Sequence, residues 1–324
     1  MFIKQDKKTV LIIGGSNVDI KGRSRGVLIP HTSNPGTIEL SVGGVARNIA
    51  ENLGRLQVNT TLLTAIGEDE YGILIKKRTE ESGVNMSDVI CSKEHRSSIF
   101  MAVLNKKSDL ETAISDMVIL DLITPEYIKS KEHIFQESAI VVIDVSIPRK
   151  TIEAVIDMCQ KYEIPLCVEP VSVSKSDYVK DLLDKIDIIT PNKDEAEMLV
   201  DISIDDMEGV RHAGEILLKK GVKMVVITLG PEGVYLATAN QKGFIPSVAT
   251  LVVDAIGAGD ALVGGLIYGL MKGQSEASAI ASGVATATIT LSSREAVSHD
   301  LTPAKLEAIY RELESRMLLR KTLV

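Results

Sequence analysis

Short apolar runs punctuate the chain at residues 10–13, 139–143, 166–168, 186–189 and 224–229. They are too brief for helices and rich in Val and Ile, so the pattern predicts buried β-strands. Between them apolar positions recur at helical spacing. Val45, Ile49, Leu53 and Leu56 fall on one face of a helix begun by Gly43 and Gly44. Further helices are expected at residues 151–162, 206–220, 260–271 and 303–313. Strands alternating with helices imply an α/β fold, with a mostly parallel sheet covered on both faces and ligands gathered beyond the carboxyl ends of its strands.

Two stretches break the alternation. Residues 18–40 and 97–117, the latter with the alternating segment 98–104, read as β-strands of a small lid at the rim of the site. No repeat, low-complexity tract or proline-rich linker divides the chain, so residues 1–324 are expected to form one domain with this lid inserted.

Composition narrows the function. Of 324 residues 45% are hydrophobic, none is Trp and only 3% are aromatic. The core must therefore be aliphatic, and stacking of single-stranded bases is disfavoured. A net charge of −8 argues against broad attraction to nucleic acid or an anionic membrane. No run of about twenty apolar residues spans a bilayer. Three widely spaced cysteines, five scattered histidines without ligand spacing and no signal h-region point to reduced thiols and a cytoplasmic protein.

The chemistry is carried by Asp254-Ala255-Ile256-Gly257-Ala258-Gly259-Asp260, which opens directly onto an apolar helix. Gly257 and Gly259, with Ala258 between them, let backbone amides converge on an anion at a helix N-terminus. Asp260 on the first turn could accept a proton from a hydroxyl, an arrangement suited to phosphoryl transfer. Alone, an acidic residue after a glycine turn also serves simply to start a helix.

This turn, with Gly43-Gly44-Val45-Ala46-Arg47-Asn48 and Pro191-Asn192-Lys193-Asp194-Glu195, occurs in the order and spacing of the ribokinase-like, or PfkB-type, carbohydrate and nucleoside kinases. The resemblance covers nearly the whole chain. It implies a three-layer α/β/α fold with a mostly parallel central sheet and a β lid, ATP as co-substrate and Mg²⁺ as cofactor. The segments 14–22, 33–36, 43–53 and 114–117 are similar to the pseudouridine-phosphorylating branch of that family. Pseudouridine is thus the implied acceptor, with ribose, uridine or another nucleoside as the alternative and a non-catalytic nucleoside-binding regulator as a remote one.

The resemblance also distributes roles. Asp260 would be the general base, with Gly257, Ala258 and Gly259 around the transferring group. Asp19, Asn48, Gly43 and Gly44 would hold the ribose, while Asn17, Ser33 and Asp116 would meet the base. Asn192, Thr228, Gly230 and Gly233 would face ATP together with Gly257 and Gly259, and Glu195 would organise Mg²⁺ through water. Relatives often carry threonines where this chain has Ala255 and Ile256, which leaves potassium binding open. A homodimer joined through the lid is the implied assembly.

Overall fold

The computed structural model describes residue 3, residues 7–107 and residues 109–321. Its central sheet has eight strands: β1 (Thr9–Ile13), β4 (Asn59–Leu63), β9 (Ser138–Asp144), β10 (Leu166–Glu169), β11 (Ile188–Ile189), β12 (Met224–Thr228), β13 (Val234–Thr238) and β14 (Lys242–Ile245). Their order is β14-β13-β12-β11-β10-β9-β1-β4, parallel except for the antiparallel pairs that bring in β13 and β14. A second, four-stranded sheet has the order β3-β2-β7-β8, from β2 (Asn17–Ser24), β3 (Gly36–Gly43), β7 (Ile99–Leu104) and β8 (Leu110–Asp116). The short strands β5 (Ala65–Gly67) and β6 (Ile90–Ser92) pair by themselves.

Side-chain alternation divides the core into two layers. Leu11, Ile13, Val141, Ile143, Val225 and Ile227 face one side, where the helices Arg149–Lys161, Lys193–Val200 and Met207–Lys219 pack. Val10, Ile12, Ile140, Val142, Met224 and Val226 face the other, under the helices Val45–Arg55, Ala258–Met271, Glu276–Leu291 and Pro303–Lys321. Aliphatic strands sealed on both faces explain how a chain with no Trp builds a core, each fully buried Val, Leu or Ile contributing about 1.5–3 kcal/mol. The result is the three-layer α/β/α fold with a mostly parallel sheet and a small β lid.

The structure adjusts several expected boundaries. Residues 186–189 do not form one strand: Leu183–Lys185 is a 3-10 turn whose Leu183 carbonyl accepts from the Ile186 amide at 3.2 Å, and the strand is confined to Ile188–Ile189. The last helix runs further than residue 313, to Lys321. The helix expected to start at Asp260 begins at Ala258, with Gly257 as its N-cap. Lid pairing starts at Asn17 and ends at Gly43, so the sheet reaches deeper into the body than residues 18–40. β4, β13 and β14 lacked a clear sequence signal. Asn59–Leu63 carries two polar threonines, both buried in the sheet.

Candidate active site

Five parallel strands deliver their carboxyl ends to one edge of the central sheet, where chain turns gather the polar residues. β1 leads into Gly14, Gly15 and Ser16, β9 ends on Asp144, β10 on Glu169, β11 precedes Asn192, and β12 ends on Thr228. The lid strand β2 rises from the same edge. Asp19 and Asn17 lie on one of its faces, and Nδ2 of Asn17 donates to Oδ1 of Asp19 at 2.6 Å.

The helix Val45–Arg55 starts at this edge from Gly44 and buries unusually many polar groups for a core helix. Arg47 donates through Nε to Thr79 Oγ1 (3.2 Å) and through Nη1 to the Val42 carbonyl (3.1 Å) and Asn48 Oδ1 (3.0 Å). Its remaining nitrogen pairs with Glu51, which in turn accepts from Arg55 at 2.7 and 2.8 Å. Every arm of this buried cation is engaged, so its charge is tolerated. The network fixes Asn48: its oxygen is held by Arg47, leaving Nδ2 to donate to Oδ2 of Asp260 at 2.8 Å.

That contact depends on close helix approach. Gly264, on the helix Ala258–Met271, lies so near the other helix that a Cβ there would fall 2.7 Å from the Cβ of Asn52. Gly257 caps the same helix in the left-handed region, φ 79°, with the Ala296 carbonyl packed beneath it. A glycine tolerates this conformation at little cost, and a helix N-terminus of this kind favours an anion, although the Ala258 amide donates to the Ala255 carbonyl at 3.3 Å within the turn. Above Gly259 is open space.

Charge is concentrated here. Burial pushes the Asp260 carboxyl up to about 7, the Asn48 hydrogen bond holds it down, and the Asp144 and Asp19 charges add to the rise. A carboxylate so poised, beside a helix N-terminus, can take a proton near neutral pH. Asp144 is fully buried and accepts from the amides of Gly15 (2.9 Å), Ala46 (2.8 Å) and Ser146 (2.9 Å). It ties the β1 turn to the start of the Asn48 helix. Burial also raises Glu169, which accepts from the Thr190 hydroxyl and is further raised by Glu195 and Asp260.

Asn192 and Glu195 close a reciprocal capping box, each backbone amide donating to the other's side chain at 2.9 Å. Burial is the main cause of the raised Glu195 pKa. Asn192 bridges to Thr228, and next to that bridge opens a largely apolar cavity of about 430 Å³. Thr228, Gly230, Gly233 and Gly259 line it, with Val284 and Ala287 of the small-residue helix Glu276–Leu291 as its far wall.

The structure thus brings Asn17, Asp19, Gly43, Gly44, Asn48, Gly257, Ala258, Gly259 and Asp260 to one cleft, with Thr228, Gly230 and Gly233 on the adjoining apolar cavity and the Asn192–Glu195 capping box beside Thr228. Two expected residues stand apart. Ser33 is exposed in the loop at the distal end of the β2–β3 hairpin, beyond the Ser24–Gly36 pair and roughly 17 Å of strand from Asp19. Asp116 shares its register row with Ile99 and Val18, which puts it on the lid face opposite Asp19, whereas Phe100 and Ser115 share the Asp19 row. Asp144, Glu169, Phe100 and Lys21 were not singled out from sequence. Asp144 and Glu169 each end a strand run, and that position at the ligand edge was the available signal.

Among the described residues no three His, Cys, Asp or Glu side chains converge to cage a metal ion directly. The all-oxygen donors Glu195 and Glu169 still suit Mg²⁺, which commonly keeps several waters between itself and protein.

Fold and site together define a phosphotransferase with an alcohol group as acceptor. Residues 7–303 match the pfkB family carbohydrate kinases, and the chain belongs to that family. It is 30% identical over 311 residues to a pseudouridine kinase of Escherichia coli (strain K12), covering 96% of this chain and 99% of that one. It is 29% identical over 302 residues to a guanosine-inosine kinase of Exiguobacterium acetylicum, covering 93% and 99%. The structure of Arabidopsis thaliana ribokinase complexed with ribose and ATP superposes with a TM-score of 0.83 at 21% identity, covering 94% and 99%. No described helix is long and apolar enough to cross a membrane.

Proposed function

We propose that the protein transfers the γ-phosphoryl group of ATP to the 5′-hydroxyl of pseudouridine, giving pseudouridine 5′-phosphate and ADP. The observation that carries this reading is the Asn48–Asp260 contact, which joins the sugar side of the cleft to the glycine turn at 2.8 Å. Asp19, Oδ1 of Asn17 and the second N–H of Asn48 Nδ2 bind the ribose hydroxyls, since a carboxylate accepts from two neighbouring hydroxyls and an amide both donates and accepts. Asp260 takes the hydroxyl proton as the oxygen attacks. The amides of Ala258 and Gly259 stabilise charge on the moving phosphoryl group. Adenine fits the apolar cavity walled by Val284 and Ala287.

Glu195, positioned by Asn192 and with Glu169 beside it, would hold Mg²⁺ through water, and the ion would supply positive charge to offset that of the phosphates. Phe100, on the Asp19 row, offers an aromatic face to the uracil ring. We read the chain as one kinase unit that pairs through its lid. Leu40, Ile20, Met101 and Ile114 form one row across the outer face of that sheet, and Leu40, Met101 and Ile114 are 49%, 42% and 63% exposed. A second copy would bury them.

Another nucleoside acceptor is the second reading, supported by the similarity to a guanosine-inosine kinase. ATP-dependent turnover across pseudouridine, uridine, cytidine, inosine, guanosine, adenosine and ribose separates them. Highest kcat/KM on pseudouridine is expected. Preference for a purine nucleoside or ribose would overturn the acceptor while keeping the kinase.

A further inference from the structure

The lid also carries a positive charge into the cleft. Lys21 lies two residues beyond Asp19 on the same face of β2, because alternate residues of a strand share a face. Its Nζ stands 3.9 Å from Oδ2 of Asp254, the residue that opens the glycine turn. Oδ1 of Asp254 meanwhile accepts from the Ile256 amide at 3.0 Å, inside that turn. The Lys21 charge also acts to lower the Asp19 pKa, against the larger effect of burial. The ammonium therefore sits between the carboxylate proposed to hold the sugar hydroxyls and the loop proposed to hold the phosphoryl group.

Its engagement there is weak. The side chain is only 17% exposed, yet 3.9 Å is too long for a hydrogen bond and at the limit of an ion pair. Arg47, the other cation acting on Asp19, is fully committed to Thr79, Val42, Asn48 and Glu51. A polyphosphate entering this cleft meets the carboxylates of Asp19, Asp254 and Asp260. A mobile ammonium on a four-carbon stem, already facing the turn and loosely held, is the group able to offset that repulsion.

We propose that Lys21 is a catalytic residue that leaves Asp254 to contact the transferring phosphoryl oxygens, so that lid closure and charge stabilisation are one movement. This rests on the kinase reading above. In the step itself the acceptor oxygen bonds to the γ-phosphorus as the bond from phosphorus to the bridging oxygen breaks. ADP leaves with that electron pair, and the hydroxyl proton passes to Asp260. Lys21 makes and breaks no covalent bond; its charge matters most when the oxygens of the phosphoryl group are between donor and acceptor.

The test is steady-state kinetics of the wild type on the acceptor panel, followed by Lys21→Met and Lys21→Arg on the preferred acceptor. Lys21→Met should lower kcat on the order of 10²-fold with little change in the acceptor KM. Lys21→Arg, which keeps the charge, should recover most of that loss. Wild-type kcat in Lys21→Met, a loss confined to the acceptor KM, or Lys21→Arg no better than Lys21→Met would each overturn the proposal. A wild type that phosphorylates no acceptor would instead remove the kinase reading on which it rests.

Discussion

Replacing Asn48 by Ala should move the acid limb of the pH–rate profile, by an amount that follows from one hydrogen bond. Asp260 titrates at about 7 with Asn48 Nδ2 donating to it at 2.8 Å. Hydrogen bonds to a charged group contribute about 1.5–3 kcal/mol, and one pH unit corresponds to about 1.4 kcal/mol. Water replaces part of the lost bond in a cleft that is partly open, so a rise of about one pH unit is expected. Only ionised Asp260 accepts the proton. At pH 7 the wild type is then roughly half active and Asn48→Ala roughly one-tenth, a loss of about fivefold from titration alone. Lost contact to the sugar adds a further decrease that does not vary with pH. The assay is kcat/KM for the preferred acceptor from pH 5.5 to 9.5, with melting curves to verify folding. The two variants' profiles should converge toward a constant ratio at high pH. A ratio unchanged between pH 6 and 9 would refute the idea that this hydrogen bond sets the base.

Asp260→Asn should lower kcat by roughly two to four orders of magnitude, and it should also stabilise the fold at alkaline pH. The carboxyl titrates near 3.8 when unfolded and at about 7 when folded. The native state thus holds its proton more tightly, and stability falls as pH rises through that window, with the full penalty present above it. Partial exposure limits the gain to about 1–2 kcal/mol at pH 8, absent at pH 4, readable by denaturant melts at both values. Ala287→Phe fills the wall of the apolar cavity, so the KM for ATP should rise about tenfold or more while the acceptor KM stays close to wild type; equal effects on both would place the nucleotide elsewhere. Ile114→Glu sets a charge in the exposed apolar lid row and should give a monomer by light scattering, where an unchanged mass would show that the row is not the dimer contact.

The sequence by itself determined the architecture, because local patterning has a period. Short Val- and Ile-rich apolar runs such as Val141–Ile143 favoured buried strands, and the spacing of Val45, Ile49 and Leu53 favoured a helix. The glycine turn, Asp260 and the Asn192–Glu195 pair were legible for the same reason: Gly257 is required by a left-handed φ, and Glu195 lies three residues after Asn192, whose backbone amide its side chain accepts from. Function at the family level came with them.

What the tertiary structure alone decided were contacts between residues far apart in the chain. Asn48 reaches Asp260 across 212 positions only because Gly264 lets two helices touch, and nothing near either residue announces the meeting. Asp144 matters through amides 129 and 98 positions away. Register, too, is invisible locally: a two-residue period says that Asp19 and Lys21 share a face, but only strand pairing shows that Phe100 joins them and Asp116 does not. Local sequence fixes dihedral preferences and burial periodicity. The cleft's electrostatics arise from desolvation and long-range charge, which exist only once distant segments have excluded water together.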